Sequence, residues 1–312
     1  MQRSRKARLS RRAVLYGLAA SGLTLQRPWA ASADTKPDES IAAIGFDGAT
    51  ILMSQGQFWR RDDKAGTWVA ASAQNTAAIA ALATHSARPG LVLAALRTGG
   101  VIRSDDGGST WRKTGSGLPK KAAAALTIAS DDPKTVYVAV RDDGLWRSSD
   151  DGATWEFVMD CPFQDHRARD VLTLASVNIK SGMGGVWVYA GTELGLTRVP
   201  DCFCRWQGVD DPDAMAALAS GKQPTPAQPL PANHALMSIA SAPLRPQTMF
   251  AGLTSGIWKS TDAGVRWTKI GDAPARHLAV NPLDPDHVIA ATETSIQSSR
   301  DGGNTWSALA TA

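Results

Sequence analysis

Gly144-Leu145-Trp146-Arg147-Ser148-Ser149-Asp150-Asp151-Gly152-Ala153-Thr154-Trp155 (GLWRSSDDGATW) decides the fold, because it recurs in phase along the chain. Gly100 to Trp111 matches it with Asp106, Gly108, Thr110 and Trp111 in register. Gly256 to Trp267 does so with Asp262 and Gly264, and Ser295 to Trp306 with Asp301, Gly303 and Thr305. Two decayed copies keep the phase, Gln57 to Trp68 with Asp63 and Gly195 to Trp206 with Asp201. A repeat at this spacing is one supersecondary unit that buries its apolar faces only by stacking on its neighbours.

The flanks repeat as well. Upstream of the copies lie β-rich runs ending in small residues, such as Thr135 to Val140 and Val186 to Gly191. Before these comes another short apolar run and a turn rich in Pro and Asp, as in Ala279 to Pro285. Short β-prone runs punctuated by Gly, Pro, Asp and Asn read as strands joined by turns. Each unit therefore holds four strands, the third crossing the Trp-Arg step and the fourth starting at the terminal Trp. The expected fold is all-β: a propeller of about six four-stranded blades, closed radially so that only short edges remain. Seven blades is the alternative, were one hidden in residues 208–240, but that stretch lacks a boxed Trp and a β-rich run.

Within the motif, Asp can accept hydrogen bonds from amides of its own turn, Gly supplies an unusual φ, and Trp covers a large apolar area. Asp63, Trp68, Asp106, Trp111, Asp150, Trp155, Asp201, Trp206, Asp262, Trp267, Asp301 and Trp306 are accordingly expected to be structural.

These phased residues resemble the Asp-box, or bacterial neuraminidase, repeat, over nearly all of residues 40–312. That repeat occurs in sialidases, xyloglucanase-type glycosidases, sortilin-type receptors and the photosystem II stability/assembly factor family. The string GLWRSSDDGATW, preceded by VYVAV, is similar above all to the assembly-factor-like bacterial proteins. That resemblance implies a protein that binds a partner and assists assembly of a membrane complex without catalysis.

The competing expectation is a glycoside hydrolase, sialidase-like or xyloglucanase-like. Such enzymes generally need two carboxylates flanking the scissile bond, and the resemblance to sialidases would add an arginine triad and a Tyr nucleophile. After residue 33 the tyrosines are Tyr137 and Tyr189, both inside strand runs. The glutamates are Glu39, Glu156, Glu193 and Glu293, the last two in equivalent turns between second and third strands. Asp is abundant enough to keep a catalytic Asp pair open as an alternative.

The N-terminus reads as an export signal. Residues 1–12 carry six basic residues and no acid, an apolar stretch runs from Ala13 to Leu25, and Ala31-Ser32-Ala33 follows. The apolar stretch is shorter than the roughly 20 residues that span a bilayer, so no stable membrane anchor is expected. Paired Arg11 and Arg12 favour the twin-arginine route, with cleavage after Ala33 and a periplasmic mature protein. The twin-arginine translocase is thus an expected transient partner. Of the 33 Lys and Arg in the chain, seven precede residue 34, while all 29 acidic residues lie from residue 34 onward. The mature domain, 34–312, is therefore mildly acidic and gives no reason to expect nucleic-acid binding.

Function grafted on a repeat scaffold should sit where repetition fails. Two connections from a fourth strand to the next inner strand break the pattern: 160–170 and the Pro-rich insertion at about 208–235. Asp165, His166, Arg167, Arg169, Asp170 and His234 are the candidate partner-binding residues, on one face around the central channel. The third-strand cations Arg60, Arg103, Arg147, Arg198 and Lys259 share one repeat phase and are expected to face solvent with their stems across neighbouring tryptophans. His166, His234 and His277 lie near inner-strand starts but lack a metal-ligand spacing, so neither metal nor cofactor is expected. Cys161 is placed at the opposite end of its blade from the fourth copy of the motif. The three cysteines, Cys161, Cys202 and Cys204, are expected to be free or weakly paired thiols, and the protein a monomer.

Overall fold

The structure is a computed structural model that describes residues 40–62, 65–72, 78–162, 170–182, 184–209, 227–232 and 234–311. Its compact propeller unit runs from Pro37 to Ala312. The signal residues Arg11, Arg12 and Ala33, together with Asp63, Asp165, His166, Arg167, Arg169 and most of the Pro-rich insertion, lie outside the described residues.

The described chain forms six four-stranded antiparallel sheets, each built from consecutive strands. Blade 1 holds β1 (Ala43–Asp47), β2 (Thr50–Gln55), β3 (Gln57–Asp62) and β4 (Trp68–Ser72). Blade 2 holds β5 (Ile79–Thr84), β6 (Val92–Leu96), β7 (Val101–Ser104) and β8 (Arg112–Thr114). Blade 3 holds β9 (Ala123–Ile128), β10 (Val136–Val140), β11 (Gly144–Ser148) and β12 (Glu156–Met159). Blade 4 holds β13 (Thr173–Val177), β14 (Trp187–Thr192), β15 (Gly195–Pro200) and β16 (Gln207–Gly208). Blade 5 holds β17 (Leu236–Ala242), β18 (Arg245–Leu253), β19 (Gly256–Ser260) and β20 (Thr268–Gly271). Blade 6 holds β21 (His277–Asn281), β22 (Asp284–Ala291), β23 (Ile296–Ser299) and β24 (Ser307–Leu309). The expected count of six is what the structure shows.

Burial explains why the second strands read as unbroken apolar runs. All five residues of β10 are buried, because neighbouring blades cover both of its faces. The outermost β8 and β24 are mostly exposed, and β8 is polar throughout. The core divides into six clusters, one per seam between blades. Trp155 sits between blades 2 and 3, Trp206 between 3 and 4, and Trp267 between 4 and 5. Trp306, Trp68 and Trp111 fill the other three seams. The ring closes where Ile41 N donates to Glu293 O at 2.6 Å and Trp68 Nε1 to Ala310 O at 2.6 Å.

Four of the third-to-fourth strand turns share one hydrogen-bond lattice. In blade 3, Gly152 N donates to Ser148 Oγ at 2.8 Å, and Ser148 Oγ donates to Asp150 Oδ1 at 2.8 Å. Thr154 closes the lattice with its amide to Asp150 Oδ1 and its hydroxyl to Oδ2. Asp106, Asp262 and Asp301 sit in the same way beneath Ser104, Ser260 and Ser299. The two residues after each Asp have positive φ, such as Asp151 at 62° and Gly152 at 85°. Where the Thr hydroxyl bonds the carboxylate, it holds Asp106, Asp150 and Asp301 down to about 2.

Blade 4 departs from this lattice. Val199 stands where the other four have Ser and Phe203 where they have Gly; Arg205 stands where blades 2, 3 and 6 have Thr and blade 5 has Arg266. The hairpin closes one residue early, through Asp201 N to Val186 O at 3.0 Å; blade 3 makes the corresponding bond from Asp151 N. Asp201 thus keeps its sequence phase but not the carboxylate geometry of the other four. The turn is closed instead by a Cys202–Cys204 disulfide with Cα atoms 5.5 Å apart, so of the expected free or weakly paired thiols these two are bonded to each other. Cys161 stays outside that bond. Its expected position at the far end of the blade is corrected. Trp206 Nε1 donates to the carbonyl of Asp160 at 2.9 Å, so the connection after β12 passes beside this turn.

The third-strand cations are not the solvent-facing set expected from their phase. Arg198 is buried at 6% exposure, its guanidinium 4.1 Å above the Trp187 ring. Arg103 Nη1 reaches the carbonyl of Asp151 in the next blade at 3.2 Å, and Lys259 Nζ reaches that of Gly302 at 2.7 Å. Arg60 packs on Gly107 so closely that a Cβ there would lie 3.1 Å from Arg60 Cζ. Arg60, Arg103 and Lys259 thus each span a seam, because radial packing sets the outer half of one blade's third strand against the next blade's turn, whereas Arg198 stays on Trp187 and Tyr189 of its own blade.

Candidate functional site

The inner strands β1, β5, β9, β13, β17 and β21 surround a central channel. Ile44, Leu82, Leu126, Leu174 and Ile239 narrow its middle, where a cavity of about 120 Å³ adjoins one of about 210 Å³ beyond them. At the end where the inner strands begin, the channel widens to about 530 Å³. Ala80, Ala122, Ala123 and Ala124 line this wider mouth, and their short side chains leave the space open.

Arg97, Arg141, Arg276, His277 and Glu293 give the mouth its chemistry. Arg97 follows β6 and Arg141 follows β10, in equivalent turns. Backbone bonds fix both, Arg97 N to Ala78 O at 2.7 Å and Arg141 N to Ala122 O at 2.9 Å. Arg276 precedes β21 and pairs with Glu293 at 2.6 Å. Among the described lining residues of all three cavities, Glu293 is the sole carboxylate. Three guanidinium groups against one carboxylate give the mouth a positive field.

His277 Nε2 lies 3.2 Å from Ile41 O. Burial lowers its pKa to about 4, and the nearby Arg97 and Arg276 push in the same direction. The imidazole is therefore neutral near pH 7 and contributes a hydrogen-bonding edge rather than a charge.

Of the residues expected to form the partner face, Asp170 and His234 are described. Asp170 Oδ1 accepts from Asp142 N at 3.0 Å, which places Asp170 beside Arg141. His234 is half-buried just before β17 and is not among the residues lining the mouth. His277 does line it, so the two described members of the expected histidine group are not brought together there. Arg97, Arg141 and Arg276 were not singled out from sequence. The equivalent phase of Arg97 and Arg141 was the available signal.

The described tyrosines, Tyr137 and Tyr189, do not present a nucleophile. Burial raises the Tyr137 and Tyr189 phenols above their ordinary value, and Tyr189 OH donates to Ala263 O at 2.8 Å. Glu156 is on the outer β12 and pairs with Arg147 at 2.6 Å. Glu193 lies in the β14–β15 turn, equivalent to the Glu293 turn. Among the described residues there is no group of three His, Cys, Asp or Glu able to hold a metal ion.

No protein-family model matches the chain, and no curated protein does. Solved propeller structures do match. The GH74 enzyme of Niastella koreensis is 15% identical at a TM-score of 0.61, covering 87% of this chain and 45% of its own. The GH74 xyloglucanase of Xanthomonas campestris is 17% identical at a TM-score of 0.56, covering 86% and 53%. YCF48 of Cyanidioschyzon merolae is 14% identical at 0.48, covering 88% and 85%. The chain thus spans about half the length of the two GH74 structures, and at these identities the likeness shows the propeller fold alone.

Proposed function

We propose that this chain is an exported, non-enzymatic propeller that binds a protein partner and acts as an assembly or stability factor for a periplasmic or membrane complex. One observation carries the reading. The arginine-lined mouth is wide and positive, with Asp170 beside its Arg141, while its described lining offers a single carboxylate already paired with Arg276. A glycosidase needs two carboxylates facing each other across a substrate. A partner segment bearing acidic groups needs only the guanidinium groups, which recognise carboxylates by charge and by paired donors.

The test compares the mature chain with two variants as bait against periplasmic and membrane extracts. One variant replaces Arg97 and Arg141 with Ala, the other Asp165, His166, Arg167 and Arg169. The reading expects a specific protein to be retained by the parent and lost from both variants, with melting temperatures unchanged. Turnover of xyloglucan, a sialoside or an aryl-glycoside by a chain that retains no partner would establish the hydrolase instead.

A further inference from the structure

The chain has three cysteines, and all three are at or beside one turn. Cys202 and Cys204 are bonded across a single residue in the β15–β16 turn, and both are exposed. Cys161 adjoins Asp160, whose carbonyl receives the Trp206 indole N–H two residues beyond Cys204.

A disulfide stabilises a fold mainly by closing a loop, and the effect grows with loop length. A ring that encloses one residue gains little by that route. The turn is also anchored without it. Phe203 N donates to Pro200 O at 2.8 Å, Asp201 N to Val186 O at 3.0 Å, and Trp206 to Asp160. The half-buried Phe203 ring meets Tyr137 edge-on at 5.5 Å and has the Arg147 guanidinium 6.0 Å from its centre. Opening the S–S bond would leave all of these contacts available. Exposed disulfides that contribute little to the fold are the ones that react with thiols, whereas buried staples resist them.

We propose that Cys202–Cys204 is a redox-active disulfide that exchanges with thiols at the rim of blade 4. In the exchange, an incoming thiolate attacks one Sγ and forms a mixed disulfide. The Cys202–Cys204 bond breaks, and its electron pair leaves on the other Sγ, which takes up a proton. A second thiol attacks the mixed disulfide and releases the first cysteine as a thiol. Two thiols are oxidised to one disulfide and the protein pair is reduced to a dithiol, so electrons and protons balance. The thiol donor is either a small molecule or a cysteine pair of a protein.

The test uses the mature chain carrying Cys161→Ser, equilibrated in glutathione buffers from fully oxidised to fully reduced. After acid quenching and alkylation, mass spectrometry reads the number of modified cysteines. The pair should convert fully and reversibly from no modified thiols to two within that range. With Cys204→Ser added, Cys202 should be recovered as its mixed disulfide with glutathione. Dithiothreitol serves as the dithiol arm, and reduction of the pair by dithiothreitol but not by glutathione at equal thiol concentration points to a dithiol donor rather than a small monothiol. Circular dichroism should show an unchanged propeller in the reduced protein and in the Cys202→Ser/Cys204→Ser double variant. A bond that stays closed in excess reduced glutathione, a pair that never closes in excess oxidised glutathione, or a double variant that fails to fold would each overturn the proposal.

Discussion

The Lys259 ammonium donates to the main-chain carbonyl of Gly302 at 2.7 Å, so the third strand of blade 5 holds the turn of blade 6. Arg103 does the same for blade 3 through the carbonyl of Asp151. At the seam between blades 4 and 5, Tyr189 OH donates to Ala263 O at 2.8 Å, with Arg198 stacked behind it on Trp187. The recurring cation is thus a device for joining blades.

Lys259→Met keeps most of the stem but loses the donor. Because Lys259 is half-buried and its bond is charge-assisted, the loss should cost about 1–2 kcal/mol. Chemical denaturation of the variant measures this, and an unchanged midpoint would show that the seam does not depend on the bond.

Trp155 is 7% exposed and Trp267 1%, each within its seam cluster. Replacing either by Ala should destabilise by about 3–5 kcal/mol through lost burial and the cavity left behind. Trp206→Ala, at a half-exposed position in the irregular turn, should cost less. Melting curves of the three variants rank them.

Acid should weaken the fold in two steps. Folding holds His277 below its ordinary 6.5, at about 4, so the unfolded chain binds the proton more readily. Stability from this group is complete above pH 6.5 and erodes as pH falls from there towards 4. Asp106, Asp150 and Asp301 are held at about 2, below their ordinary 3.8, so their contribution is lost between about pH 4 and 2. Melting temperature against pH should show both declines. His277→Gln should flatten the upper one, and Asp150→Asn should reduce the lower one.

The proposed export has its own readout. N-terminal sequencing of the periplasmic protein should begin at Asp34. Joint replacement of Arg11 and Arg12 by Lys should leave folded precursor in the cytoplasm. Continued export of that variant would argue for a different route.

The sequence by itself determined the architecture. Six tryptophans in phase, with turn residues at fixed offsets, encode six local units, and a unit that cannot bury its own faces must stack on the next. Local phase does not encode what meets across a seam. The equivalence of Arg97 with Arg141 was visible in the letters, but their convergence on one mouth with Arg276 follows from closing the ring, which brings blades 2, 3 and 6 to a shared axis. Likewise the cations at 60, 103, 147, 198 and 259 could be aligned, yet only radial packing decided that several would reach the next blade's turn. Blade 4 shows the limit most directly. Its letters align with the other copies at Asp201 and Trp206, but Asp201 N closes the hairpin one residue early and Cys202 meets Cys204. A shift of one residue changes which groups face each other in a turn, and it comes in the copy that has lost the Ser and Gly that build the other turns.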